Sequence, residues 1–88
     1  MKVWGRIIKG TKTIFQTQLE DSCPAGANFH DKLENCLIGF CKAADISVPV
    51  WLKKNTEELG RFGKVIFISD QFIERVGFDR FELEIMEK

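Results

Sequence analysis

Apolar residues alternate at period 2 near both ends of the chain and recur at spacings of three and four between them, which predicts strands flanking a central helix. Residues 2–8 and 13–19 are β-rich and joined by Lys9-Gly10-Thr11-Lys12, where Gly10 supplies the positive φ of a tight hairpin. On the first strand Trp4, Arg6 and Ile8 share one face, and Val3, Gly5 and Ile7 the other. On the second, Thr13, Phe15, Thr17 and Leu19 oppose Ile14, Gln16 and Gln18, so neither strand has a purely polar face. Gly5 in mid-strand marks a bulge or the close approach of another backbone or a large side chain.

Glu20 to Ala27, carrying Cys23-Pro24-Ala25-Gly26, reads as a loop ahead of a helix that starts at Asn28, with Asp31 completing an approximate capping box. The helix runs to Ala44, because Phe29, Leu33, Cys36, Leu37, Phe40, Cys41 and Ala44 form a stripe suited to packing on a sheet. Ile38 falls on the opposite side as its exposed apolar group. Pro49 disfavours helix at Val48 and sets an extended course, after which Trp51 and Leu52 are expected to plug the core edge. Asn55 and Glu58 offer a second capping box, giving one or two helical turns over Thr56–Phe62 closed by Gly63. Lys64–Ile68 is a nearly continuous apolar run rich in β-branched residues, as a central strand requires. Ser69 and Asp70 cap a short turn over Gln71–Val76, and Phe78–Met86 alternates Phe81, Leu83 and Ile85 against Arg80, Glu82 and Glu84 as a half-buried last strand. The order β-β-α-β-β predicts an α+β fold of two layers: a mostly antiparallel four-stranded sheet with one long helix on one face, plus short helical turns.

Composition narrows this picture without naming a function. The 88 residues suit a single domain over positions 1–88, and eight phenylalanines, two tryptophans and a 44% apolar content give it a core. Thirteen Lys/Arg balance thirteen Asp/Glu, so no global field draws a polyanion or an anionic membrane. No apolar run reaches the roughly 20 residues that cross a bilayer, and the opening segment has a strand pattern rather than a signal-peptide core, which predicts a cytoplasmic protein without membrane contact. Cys23, Cys36 and Cys41, odd in number, fit reduced thiols better than a disulfide framework.

Candidate chemistry is sparse. Cys23 in a loop with His30 nearby is the minimal thiolate and base, yet no orienting third group or oxyanion donor can be named beside them. The spacing of Cys23, His30, Cys36 and Cys41 matches no common zinc pattern, so a small thiol enzyme or metal site stands only as a third reading, and no cofactor is expected. Gly60 and Gly63-Lys64 are too close for a phosphate loop, and Val65 stands where a magnesium-binding hydroxyl would be. Arg61–Phe67 echoes the core strand of the RNA-recognition motif but has Lys64 in place of a stacking aromatic. Lys2, Arg6, Lys9 and Lys12 make the hairpin basic and, with Trp4 and Phe15, outline a weak nucleic-acid surface. Cross-strand pairing of those cations with the acidic last strand is the simpler expectation.

What remains is a non-catalytic protein–protein interaction module or homodimer, whose partner is another protein or a second copy of itself. Its expected surface is the open face of the sheet with Trp4, Ile8 and Phe15, or the back of the helix at Ile38. Val-Trp-Gly-Arg-Ile-Ile near the start, Ile-Ser-Val-Pro-Val-Trp-Leu in the middle and Phe-Asp-Arg-Phe-Glu near the end resemble short uncharacterised bacterial proteins. That resemblance implies a bacterial cytosolic setting and no activity, cofactor or catalytic residue.

Overall fold

The computed structural model describes residues 1–87. Strands β1 (Lys2–Lys9) and β2 (Lys12–Glu20) precede two helices, α1 (Phe29–Ala44) and α2 (Lys53–Phe62), and strands β3 (Lys64–Ile68) and β4 (Arg80–Glu87) follow. The sheet runs β2-β1-β4-β3 with every neighbouring pair antiparallel, an α+β fold as its sequence pattern predicts, but β3, expected at the centre from its apolar run, is an edge strand, and β1 and β4 are central. The β-β-α-β-β order with one long helix needs correction, because the segment expected to hold one or two turns is a second helix of 10 residues. It begins three residues earlier than Thr56: the Asn55 side chain, instead of capping from outside, reaches back to accept the Leu52 N–H at 2.8 Å. The turn expected over Gln71–Val76 is a single 3-10 turn at Ser69–Gln71, beyond which Phe72 and Phe78 point inward and meet edge to face, 5.3 Å apart.

α1 forms where its pattern and caps place it. The Asn28 side chain accepts the Asp31 N–H at 2.8 Å, and Asp45 closes the helix in the left-handed region with φ of 57°. Its buried stripe of Leu33, Cys36, Leu37, Phe40 and Cys41 lies on the sheet face that carries Val3, Ile7, Val65, Phe67, Phe81 and Leu83. Helix and sheet come close at Gly5: a Cβ built there would run into the Phe40 ring, so the mid-strand glycine is the socket for a phenylalanine. Phe40 stacks on Phe81 at 4.5 Å and takes the edge of Phe15 at 5.7 Å. Phe67 continues the aromatic row, 5.3 Å from Phe81 and 5.8 Å from Trp51.

Phe15 therefore lies on the helix side and does not share the open face with Trp4. A regular hairpin closed by Lys9 and Lys12 would put Phe15 opposite Arg6, on the Trp4 side. The observed register skips Ile14 between the pairs Ile8↔Thr13 and Ile7↔Phe15, and that bulge turns the rest of β2 over relative to β1. Ile8 is also not an open-face contact: it is 7% exposed, its C=O accepts the Asp79 N–H at 3.0 Å, and Arg80 stands across from it. Ile38 is half-buried rather than exposed, beside Leu19 and Lys42.

Candidate functional site

α2 lies along the β3 edge of the sheet, and a groove of about 540 Å³ opens between it and the first turns of α1. Three short-range features build it. Phe29 and Leu33 stand four apart on α1, so they share a face; Thr56 and Leu59 stand three apart on α2. Trp51 enters from the extended segment after Pro49, its ring edge-on to Phe67 and its Nε1–H donated to the Thr56 Oγ1 at 2.9 Å. That hydrogen bond fixes the indole as one wall. Leu33 is buried at the base and Phe29 is 40% exposed at the lip. His30 and Glu34 mark the mouth, 4.0 Å apart on successive turns and both largely in solvent. Its volume falls in the range of ligand sites, and its lining is carbon-rich with few polar groups, which suits an apolar side chain or segment.

The open face of the sheet is different in character. The registers set rows across it: Gln18, Trp4, Glu84 and Lys64 in one, Gln16, Arg6, Glu82 and Ile66 in the next. Glu82 is the hub, accepting from Arg6 at 2.8 Å, Arg80 at 2.9 Å and Lys64 at 3.2 Å while its side chain stays 8% exposed. Burial alone would raise its pKa, but the hydrogen bonds from Arg80 and Lys64 and the neighbouring positive charges outweigh that and hold it below the ordinary carboxylate value. The Arg6 guanidinium also lies 4.4 Å over the Trp4 ring, which leaves Trp4 half-buried. Of the four hairpin cations, Lys2 stands 3.9 Å from Glu87 and Arg6 is held by Glu82 and Glu84, while Lys9 and Lys12 are exposed at the hairpin tip. Opposite charges thus meet across β1 and β4, and Trp4 and Phe15 do not form one stacking platform.

The thiol candidates are not brought together with a base. Cys23 sits half-buried with its Sγ 3.6 Å from the Asp31 C=O; burial, then the Asp21 and Asp31 carboxylates, push its pKa up. His30 faces Glu34 at the groove mouth instead, and no hydrogen bond joins it to Cys23 among the described residues. Cys36 and Cys41 are buried in the helix stripe, and burial pushes Cys41 up to about 11. Both therefore behave as small hydrophobes. Among the described residues no three His, Cys, Asp or Glu side chains cluster as metal ligands, and no helix is long and apolar enough to cross a membrane.

No protein-family model, curated protein or solved structure matches the chain. The groove was missed in the sequence because Phe29 and Leu33 read as ordinary members of the α1 stripe. The available signal was the pair Thr56 and Leu59 on an otherwise polar helix, three residues apart and just beyond a tryptophan.

Proposed function

We infer that the protein is a non-catalytic protein–protein interaction module whose docking site is the α1–α2 groove, taking an apolar segment of a partner. The carrying observation is the exposed groove of about 540 Å³ lined by Phe29, Leu33, Trp51 and Leu59. Val48, Val50 and Leu52, each more than two-fifths exposed, flank Trp51 in sequence and extend the apolar surface beside it, so Leu52 lies in the open rather than plugging the core edge as its sequence position suggests. An amphipathic helix presenting apolar residues at i, i+3 and i+4 matches such a site, with the His30–Glu34 pair supplying a polar rim. A bacterial cytoplasmic setting belongs to the same proposal and is supported by the resemblance of the three sequence motifs.

The test is selection of helical peptides from a displayed library on the folded protein, followed by titration against wild type and Phe29→Ala. Enrichment of sequences with i, i+3, i+4 apolar spacing, a change in Trp51 fluorescence on binding and about tenfold weaker binding to Phe29→Ala are expected. Failure to enrich any such peptide, or binding indifferent to Phe29 and silent at Trp51, overturns this site.

A further inference from the structure

The two edges of the sheet are treated in opposite ways. On β3 the outward groups of Ile66 and the outward N–H of Ile68 are occupied by side chains. The Ile66 N–H donates to the Glu58 Oε1 at 3.2 Å, and the Ile66 C=O accepts from the Asn55 Nδ2 at 3.1 Å and the Lys54 Nζ at 3.3 Å. The Ile68 N–H donates to the Gln71 Oε1 at 3.0 Å. Among the described residues nothing comparable covers β2. The Asp21 N–H donates to the Met1 C=O at 3.1 Å, and the pairs Val3↔Leu19, Gly5↔Thr17 and Ile7↔Phe15 are in step with that bond. In an antiparallel ladder this alternation commits Phe15, Thr17 and Leu19 to β1 and turns the N–H and C=O groups of Gln16, Gln18 and Glu20 outward. Among the described residues, the only side chain that reaches those outward groups is the Thr17 hydroxyl, a long 3.5 Å from the Gln18 C=O. The strand is 9 residues long and contains no proline, and such an edge is a template for another strand.

We propose that β2 pairs antiparallel with β2 of a second copy about a two-fold axis at Gln16, joining two sheets into one of eight strands. The charge order along the strand selects this occupant: Lys12 stands at its start and Glu20 at its end, so an antiparallel copy sets each lysine against the other copy's glutamate, while a parallel copy opposes like charges. Gln16 meets its own counterpart through outward backbone groups. Ile14, 54% exposed where the register skips it, is covered opposite Gln18 of the second copy. Pairing about Gln16 keeps odd residues facing odd, so both helix layers fall on the same side of the joined sheet. Ile38, which lines a small hollow of about 230 Å³ with Leu19, Glu20 and Lys42, then lies on the flank of α1 nearest the second copy. The α1–α2 groove is on another part of the molecule, so this dimer stands or falls apart from the docking reading above.

The test is the solution mass by sedimentation velocity over a dilution series spanning roughly 1 to 500 μM, since edge pairing with a modest flank buries little more than the smallest stable interfaces. A concentration-dependent dimer is expected for wild type. Gln16→Pro, which removes an outward N–H and no internal bond, is expected to be monomeric with unchanged circular dichroism. Lys12→Glu alone is expected to weaken the dimer about tenfold, and Lys12→Glu with Glu20→Lys to restore it to within about threefold. Should Gln16→Pro unfold, the charge swap decides. A monomer at every concentration, a dimer untouched by Gln16→Pro in its folded form, or a charge swap that fails to restore association overturns the proposal; Phe29→Ala is expected to leave the mass unchanged.

Discussion

Two residues show how strongly single positions are determined here. Gly5 has no tolerance for a side chain, because the Phe40 ring occupies the space a Cβ needs. Gly5→Ala is expected to cost about 2–3 kcal/mol in urea unfolding as an overpacked site. Phe40→Leu in the same chain should return part of that loss, and a double-mutant cycle measures the coupling. Glu82 is determined by charge. Its pKa is lowered in the folded protein, so its contribution to stability is complete above the unfolded carboxylate value and is lost as pH falls through the folded value. Wild type should therefore lose stability on acidification below the ordinary glutamate value of 4.5. Glu82→Gln should be about 1–2 kcal/mol less stable at pH 7 and show a shallower acid limb in pH-dependent thermal melts. Cys23, whose pKa is raised, should alkylate at neutral pH more slowly than a small free thiol, and Cys41 only on unfolding; mass spectrometry after timed labelling checks both.

At the scale of elements, the contrast between α1 and α2 explains what could be seen in advance. α1 was legible because its apolar stripe is dense and its N-cap, Asn28, is a residue whose side chain caps by itself. α2 was only half legible: its N-terminal residue follows Leu52, which has no polar side chain, and the capping is done from within by Asn55. Asn55 also carries tertiary work invisible in sequence, being wholly buried, bonded to the Ile66 C=O and to Gln71, whose Nε2 donates to its Oδ1 at 2.8 Å. Asn55→Ala should cost about 2–4 kcal/mol in denaturant unfolding, since several buried groups lose partners at once. The strand faces were legible within each strand but not between β1 and β2, because one unpaired residue, Ile14, reverses their relation. The groove was illegible for a similar reason: Phe29 and Trp51 become neighbours only when α1 and α2 come together.

For the whole molecule, antiparallel pairing makes the first and last strands the centre of the sheet, with β1 between β2 and β4. Charge follows the same plan, the basic hairpin strand beside the acidic final one, and the hub at Glu82 ties β1, β3 and β4 together from the open side. The order of these strands in space also has a consequence in time. During synthesis β1 and β2 emerge together and can pair at once, but the other flank of β1 waits for β4, more than 70 residues further along. The Phe40–Phe81 stack and the Glu82 hub wait with it. A ribosome-bound chain halted before Arg80 therefore holds a hairpin and helices without the strand that unites them, so cooperative folding begins only once β4 has cleared the exit tunnel.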